Sequence, residues 1–167
     1  NLINKKNTDV IFNALHGKDG EDGVAQSYFE YLKIPYTHSG IISSFNAMNK
    51  LISKKIFIKN KIKTPSYQIV EKKNYNFLKL KKIFSTKNFK YPIVVKPNNE
   101  GSSIGVKICK NIIILKKSIN NLLKTYDTLL VESFIGGQEI QVAVLNGKAL
   151  GAIELKPKRK FYDYKAK

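Results

Sequence analysis

The sequence predicts a mixed fold, in which a piece of an α/β domain is followed by an α+β domain. Residues 10–15 are apolar except for Asn13 and lead into a loop with three glycines, after which residues 24–33 repeat apolar side chains at helical spacing. Further along, short apolar strands alternate with amphipathic helices. The chain then reaches Asn146-Gly147, the dipeptide that most strongly favours a β-hairpin. We expect the boundary between the two units near residues 38–43.

The first unit has the element order of an α/β protein. Residues 10–15 predict a buried strand, residues 24–33 a helix capped by Asp22, and residues 34–36 a second short strand. Strand, glycine-rich loop and helix in this order are typical of folds that bind ligands at the carboxyl end of a strand. We therefore expect ligand chemistry in the loop at residues 16–23.

The second unit alternates helical and strand patterns, and Thr64-Pro65 ends the first helix. Apolar residues lie on one side of each predicted helix, and each predicted strand is a short apolar run bounded by turn residues. The predicted helices are residues 43–60, 75–84 and 112–123, and the predicted strands are residues 67–70, 91–96, 106–109, 128–134, 139–145 and 149–155.

Composition limits the function classes. The net charge is +18, yet Arg159 is the single arginine among 30 basic residues, and arginine is the residue that specific DNA readers use on guanine. Lysine, asparagine and isoleucine share A/T-rich codons, so genome composition is the simpler explanation of the charge. The longest apolar runs, such as residues 112–115, have four residues, which predicts no membrane span. The single Cys109 excludes an internal disulfide and favours a reducing compartment.

The two ends of the sequence indicate a fragment. The chain begins at Asn1 with no initiator Met and no targeting pattern, and it ends at Lys167 directly after an aromatic-rich stretch. We therefore expect a piece of a longer protein.

A first candidate site combines Lys96, at the end of a predicted strand, with residues 100–105, which read Glu-Gly-Ser-Ser-Ile-Gly. Backbone amides exposed by glycine and serine hydroxyls donate to phosphate oxygens, and lysine supplies positive charge. The lysine precedes the loop, so the pattern is not a Walker A motif. Taken alone, an ordinary turn with a solvated lysine is the simpler interpretation.

A second candidate follows residues 129–131, an apolar strand that ends in Glu132 and continues into Ser133, Phe134 and Ile135, with Glu139 further on. Such a strand and linker can hold a flat base, whose edge meets the backbone while a second carboxylate accepts from ribose hydroxyls. A plain strand-to-turn segment has the same pattern.

Two histidines complete the candidates. His16 lies at the mouth of the first strand, where it is either a ligand-facing or a structural residue, and both interpretations stay open. His38 is interpreted as structural. No serine, histidine and aspartate combination or cysteine and histidine pair indicates nucleophilic catalysis, and no metal-ligand spacing is visible. Acidic loop residues such as Glu21 and Glu100 are most simply solvated.

In their order and spacing these motifs resemble the D-alanine–D-alanine ligase family over essentially the whole chain. The motifs are Asn-Ala-Leu-His-Gly at 13–17, Gly-Glu-Asp-Gly at 20–23, Tyr-Thr-His-Ser-Gly at 36–40, Ala-Met-Asn-Lys at 47–50, Val-Val-Lys-Pro at 94–97, Glu-Gly-Ser-Ser-Ile-Gly at 100–105, Glu-Ser-Phe-Ile-Gly-Gly-Gln-Glu at 132–139 and Phe-Tyr-Asp-Tyr at 161–164. Because unrelated turns would not fall in this register, the resemblance weakens the simpler interpretation of each motif.

The resemblance implies a partial ATP-grasp fold. Residues 1–40 would end the α/β N-terminal domain on the substrate side, residues 41–132 would form the central α+β nucleotide domain, and residues 133–167 would start a truncated C-terminal lobe. The implied reaction transfers the γ-phosphate of ATP to the carboxylate of one D-alanine. The amine of a second D-alanine then attacks the acyl phosphate, and the dipeptide serves peptidoglycan synthesis in the cytoplasm.

The resemblance also implies roles for single residues. Lys50 and Lys96 would contact the ATP phosphates, under a loop formed by Glu100, Gly101, Ser102 and Ser103. Glu132 would accept from the adenine amine, the backbone of Ser133, Phe134 and Ile135 would meet the base edge, Glu139 would bind ribose and Phe161 would flank adenine. The implied catalytic residues are Ser102 beside the substrate, Lys167 at the phosphates, and His16 and Glu21 on the substrate side.

Several features depart from the family pattern. Asn49 stands where aspartate is common, Lys165 where an acidic or neutral residue is usual, and Asn98-Asn99 replaces a more basic pair. The first-substrate glutamate would precede Asn1, and the Mg²⁺ or Mn²⁺ ligands, the tyrosine loop and an arginine would follow Lys167. We therefore expect no ligase turnover from this fragment alone.

The resemblance implies D-alanine as substrate, no nucleic acid or membrane partner, and a homodimer in the full-length form. Three alternatives stay open. The first is a ligase with D-lactate or D-serine as second substrate, or another ATP-grasp carboxylate–amine ligase. The second is a degenerate, non-catalytic relative. The third, from a different class, is a basic nucleic-acid-binding module, which the charge of +18 motivates.

Overall fold

The computed structural model describes residues 3, 5–86 and 89–156. Within them the helices are α1 (Val24–Tyr31), α2 (Ile41–Met48), α3 (Lys50–Lys59), α4 (Phe77–Thr86) and α5 (Ile112–Leu122). The strands are β1 (Tyr67–Glu71), β2 (Ile93–Pro97), β3 (Lys107–Cys109), β4 (Thr128–Ser133), β5 (Glu139–Leu145) and β6 (Lys148–Leu155). This mixture of helices and antiparallel sheets confirms the predicted fold class.

Four strands form an antiparallel sheet in the order β1-β4-β2-β3. The central strand β4 carries Glu132, which lies opposite Tyr67 on one neighbouring strand and opposite Val94 on the other. Because side chains alternate between the two faces of a strand, Lys96, two residues after Val94, shares a face with Glu132. The sheet topology therefore brings together two of the charged residues that the sequence singled out.

The opposite face of this sheet carries the hydrophobic core. Leu129 and Val131 of β4 are completely buried there, and so are Leu115 and Ile119 of α5, which pack in the same cluster. The one-residue alternation along β4 thus places apolar side chains against the helix and leaves Glu132 on the other side. The core fixes the strand, and the strand positions the carboxylate.

The last two strands form a separate two-stranded sheet. Asn146 and Gly147 connect them with φ angles of 49° and 74°, the left-handed pair that a tight hairpin turn requires. The predicted hairpin is thereby confirmed. Large apolar side chains on this sheet, such as Val144 and Leu150, are exposed.

The predicted buried strand at residues 10–15 is wrong. A single parallel bridge joins Ile11 to Tyr36, supported by hydrogen bonds from Ile11 N to Pro35 O and from Thr37 N to Ile11 O. A strand needs consecutive pairing, and in the described residues it stops after this one bridge. Phe12, next to Ile11, is 77% exposed, so the segment is not a buried strand.

The single helix predicted over residues 43–60 is also wrong, because Asn49 divides it into α2 and α3. Asn49 has extended backbone angles (φ −83°, ψ 101°), and its side chain accepts a hydrogen bond of 3.0 Å from Ile52 N. This is the geometry of an N-cap, which asparagine favours over a helix interior. The cap places Lys50 at the first position of α3. Among the described residues, no helix is long and apolar enough to cross a membrane.

Candidate functional site

Three charged side chains meet on the face of the sheet opposite the core. Glu132 is 5% exposed, and its Oε1 pairs with Nζ of Lys96 from the neighbouring strand β2. Its Oε2 lies 2.8 Å from Nζ of Lys54, which comes from α3. A carboxylate this deeply buried keeps its charge only when cations compensate the lost hydration, and here two lysines do so.

Lys54 is a site residue that sequence reasoning missed. It is 5% exposed, and its ammonium donates to Thr64 Oγ1 at 2.8 Å and to Pro65 O at 3.0 Å. It also lies 4.9 Å from the ring centroid of Tyr67. A signal for it existed, because position 54 follows Leu51 by three residues and Lys50 by four, which puts it on the inward side of the helix.

Lys50 lies beside this cluster. Its ammonium donates to the backbone carbonyl of Glu100 and, at 3.4 Å, to that of Asn98. Burial and then repulsion by the Lys96 ammonium lower the pKa of Lys50 from 10.5 to about 8, although Glu100 and Glu132 act in the opposite direction. The repulsion between these two lysines is the kind of unfavourable interaction that a bound anion would relieve.

Buried Asn98 attaches the start of α3 to the loop after β2. Its Oδ1 accepts from Leu51 N at 3.0 Å, and its carbonyl accepts from Lys50 N at 3.1 Å. Two of the amide groups that every helix leaves unpaired at its N-terminus are thereby satisfied. Asn98, one of the departures from the family pattern, therefore joins the start of α3 to the loop after β2 through two hydrogen bonds.

The loop at residues 100–105 has an unusual backbone. Ser102 and Ser103 adopt left-handed φ angles of 47° and 60°, and Ile104 N donates to Gly101 O at 2.9 Å. Gly105, at φ 71°, packs so close to Pro97 that an added Cβ would lie 2.7 Å from the proline Cγ. The loop is thus a defined turn directly after the strand that carries Lys96.

The loop is also held from its first residue. Burial, followed by the neighbouring Glu100 carboxylate, raises the pKa of the Tyr126 phenol. The side-chain hydrogen bond between Tyr126 and Glu100 anchors the Glu100 carboxylate, and the hydrogen bond from Lys50 anchors its backbone carbonyl.

The N-terminal glycine loop approaches the serine loop, since a Cβ built on Gly101 would lie 3.9 Å from Gly17 Cα. In this loop His16 is exposed, with Nδ1 3.9 Å from Glu21 Oε1, and Glu21 also accepts from Gly17 N. Both side chains border a cavity of about 550 Å³. The structure therefore brings the His16 loop and the Ser102 loop to the same region.

His38 and Asn13 shape the same cavity. Nε2 of His38 lies 2.7 Å from the Asn13 carbonyl, which agrees with the structural role inferred for this histidine. The Asn13 amide donates to Gly20 O at 3.0 Å, and its Oδ1 accepts from Leu15 N at 3.1 Å. Asn13 thus fixes the backbone on both sides of His16.

The segment after Glu132 leaves the sheet with its amides engaged. Ser133 N donates to Ser66 O at 3.0 Å, and Phe134 N donates to Pro92 O at 3.3 Å. Contacts of these two residues with a base edge would therefore use their carbonyl oxygens. Ile135 and Glu139 are exposed, the latter at the start of β5.

Phe161, Lys165 and Lys167 lie outside the described residues. Within the ranges that the structure does describe, no group of three or more histidine, cysteine, aspartate or glutamate side chains could hold a metal ion.

Comparisons with known proteins decide the family. A family profile described as "D-ala D-ala ligase C-terminus" matches residues 56–167, and one described as "D-ala D-ala ligase N-terminus" matches residues 1–39. The chain belongs to the D-alanine–D-alanine ligase family. Among its relatives, the D-alanine–D-alanine ligase of Pelagibacter ubique is 60% identical over 161 residues, which are 95% of this chain and 51% of the relative. That of Citrifermentans bemidjiense is 42% identical over 98% of this chain and 50% of the relative.

Solved structures of the family agree. The D-alanine–D-alanine ligase of Bacillus anthracis superposes with a TM-score of 0.77 at 37% identity, covering 97% of this chain and 51% of that one. The same enzyme complexed with ATP gives a TM-score of 0.78 at 35% identity, covering 94% of this chain and 51% of that one. The chain therefore has part of the ATP-grasp fold of these enzymes. It spans about half the length of the D-alanine–D-alanine ligase family members it matches.

Proposed function

We propose that this chain provides the nucleotide-binding site and part of the substrate-binding site of an ATP-dependent D-alanine–D-alanine ligase. The observation that carries the proposal is the convergence of Lys50, Lys96 and Glu132 on one face of the sheet, next to the serine loop. Two cations with one fixed carboxylate suit a ligand that carries phosphates at one end and an amine at the other. Family membership and the ATP complex of the Bacillus anthracis enzyme support this assignment.

The geometry suggests how the nucleotide would be held. Lys50 and Lys96 would bind its phosphates, where their charge offsets the negative charge that develops during in-line transfer. Glu132 would accept from the adenine amine. Because Lys96 pairs with Oε1 of Glu132, that lysine has to turn towards the phosphates before the amine can reach this oxygen.

The proposed reaction has two steps. A carboxylate oxygen of the first D-alanine attacks the γ-phosphorus of ATP and ADP leaves, which gives an acyl phosphate. The amine of the second D-alanine then attacks the acyl carbon and phosphate leaves, which gives the dipeptide for peptidoglycan synthesis. Ser102, His16 and Glu21 would face the substrate, because their two loops approach each other beside the cavity.

The remaining parts of the proposal rest on the family resemblance. The loop residues Glu100, Gly101 and Ser103 would cover the phosphates, Glu139 would bind ribose, Phe161 would flank adenine and Lys167 would reach the phosphates. A divalent ion, Mg²⁺ or Mn²⁺, would be held by ligands beyond Lys167 and would offset the negative charge of the phosphates. The division at residues 1–40, 41–132 and 133–167, a cytoplasmic location, a homodimer, and the absence of membrane or nucleic-acid partners belong to the same proposal.

The decisive assay places this chain in a complete ligase. Residues 1–167 replace the matching stretch of the Pelagibacter ubique relative, whose identity of 60% makes the exchange conservative. We expect the chimera to release ADP in the presence of D-alanine and to form D-alanyl-D-alanine, whereas the 167-residue chain alone has no turnover. Parallel reactions with D-lactate or D-serine as second substrate test the closest alternatives.

Two controls accompany this assay. The unaltered relative proves that the assay works. A chimera that carries Lys96→Ala separates this function from a scaffold role. A folded chimera with no D-alanine-dependent ADP release would contradict the proposal. Steeply salt-dependent DNA binding by the 167-residue chain, with no preference for ATP over other polyanions, would favour the nucleic-acid alternative instead.

A further inference from the structure

Lys54 has no part in the proposed chemistry, yet it is the most deeply held lysine beside Glu132. It lies 2.8 Å from Glu132 Oε2, and its ammonium donates to Thr64 Oγ1 and to Pro65 O. Its side chain is 6% exposed, compared with 21% for Lys96. Two separate parts of the chain, residues 64–65 and strand β4, therefore converge on one ammonium group.

These contacts fix the direction of the ammonium. A lysine ammonium has three donor hydrogens, and Thr64 and Pro65 each receive one. The Tyr67 ring, 4.9 Å away at its centroid, limits the space further. Turning Lys54 towards a phosphate would break both hydrogen bonds and leave a partly buried carbonyl and hydroxyl without this donor, so Lys54 stays on Glu132.

The two lysines therefore serve different oxygens of one carboxylate. Lys96 pairs with Oε1 and is partly exposed, whereas Lys54 pairs with Oε2 from inside the protein. If Lys96 moves to the phosphates, Oε1 becomes available while Lys54 still compensates the carboxylate charge. Without Lys54, the carboxylate would depend on Lys96 alone, because burial disfavours an uncompensated charge.

We propose that Lys54 is a positioning residue that compensates the charge of the Glu132 carboxylate and holds it in place, so that the site prefers adenine to guanine. This inference rests on the proposed nucleotide site. At the position where adenine carries an amine, guanine carries a carbonyl oxygen. A fixed carboxylate accepts from the amine and repels the carbonyl, whereas a displaced one discriminates less.

The test measures the dissociation constants of ATP and GTP for the full 167-residue chain by calorimetry, and compares their ratio between variants. Lys54→Met keeps the length of the side chain and removes its charge. Lys55→Met is the matched control, because Lys55 is the exposed neighbour on the same helix. Glu132→Gln and the double variant Lys54→Met/Glu132→Gln complete a double-mutant cycle.

We expect Lys54→Met to reduce the preference for ATP about tenfold, the scale of one hydrogen bond to a charged group, and Lys55→Met to leave it within about twofold. In the Glu132→Gln background the Lys54 change should have no further effect, because Lys54 acts through that carboxylate. A purely structural role would weaken both nucleotides equally. If Lys54→Met fails to fold, Thr64→Val removes one anchor of the ammonium, keeps every charge, and should lower the same ratio.

The outcomes separate the inference from the proposed function. If the unaltered chain prefers ATP and Lys54→Met retains that preference, the role of Lys54 is refuted and the nucleotide site stands. If the unaltered chain shows no preference for ATP over GTP, the proposed adenine site in this chain is wrong, and the inference is refuted with it.

Discussion

The ammonium of Lys50 donates a hydrogen bond to the backbone carbonyl of Glu100, 50 residues further along the chain. This contact joins the first turn of α3 to the loop that carries Ser102 and Ser103. The Lys50 ammonium, which holds this loop, also faces the region proposed for the phosphates. The protonation of Lys50 should therefore respond to nucleotide binding.

The first prediction is that ATP binding takes up a proton. The pKa of Lys50 is lowered to about 8, so at pH 8 roughly half of the molecules carry it neutral. Phosphate charge favours the ammonium form, so binding raises this pKa and the protein gains a proton. We expect uptake near pH 8, little uptake at pH 6.5, and an ATP affinity that falls as the pH rises through 8. Calorimetry in buffers of different ionisation enthalpy measures the uptake.

Lys50→Arg is the control for this prediction, because arginine keeps the charge and does not titrate in this range. It should bind ATP with much less proton uptake at pH 8. Unchanged uptake in the arginine variant would assign the proton to another group.

A second prediction concerns the turn that follows the serine loop. Gly105 and Gly147 both have left-handed φ angles, but an added Cβ would lie 2.7 Å from Pro97 Cγ at position 105 and within 4 Å of nothing at position 147. Gly147→Ala should cost about 1 kcal/mol from backbone strain. Gly105→Ala should cost about 2–4 kcal/mol, because overpacking adds to the strain. Urea unfolding measures both, and equal costs would show that Pro97 yields freely.

A third prediction concerns Gln26, which is 1% exposed and bridges the N-terminal glycine loop. Its Oε1 accepts from Gly23 N at 3.0 Å, and its Nε2 donates to Gly20 O at 2.8 Å. Gln26→Met keeps the volume and leaves a buried amide unpaired, so we expect a loss of about 1–3 kcal/mol in the free energy of unfolding. The exposed neighbour Ser27→Ala is the control and should change it by less than about 0.5 kcal/mol. A loss no larger than the control's would mean that water replaces the glutamine.

Local patterns predicted the elements whose formation depends on a few neighbouring residues. The Asn146-Gly147 turn follows from backbone preference alone, and the alternation along residues 128–134 placed Leu129 and Glu132 on opposite faces. The strand predicted at residues 10–15 failed because strand pairing depends on partners distant in sequence.

The sequence predicted only part of the candidate site, because some of its contacts also depend on partners distant in sequence. Glu132 and Lys96 stood out because each ends a strand, and their pairing follows from neighbouring strands in the sheet. Lys54 did not stand out, since a lysine in a helix is usually solvated and only the tertiary fold supplies Thr64, Pro65 and the carboxylate that hold it. Asn49 was noticed as a departure, yet its role as a cap became visible only with the helix boundaries.

The most direct test of the central claim compares Lys96→Ala with Lys107→Ala in Mg-ATP binding by calorimetry. Lys107 is exposed on the adjacent strand β3, so both variants remove one positive charge from the same sheet. At 50 and 200 mM salt we expect Lys96→Ala to weaken ATP about tenfold or more and Lys107→Ala to change it less than about twofold. Equal losses from both variants, with binding to any polyanion that collapses between the two salt concentrations, would contradict the nucleotide site and leave the lysines as bulk charge.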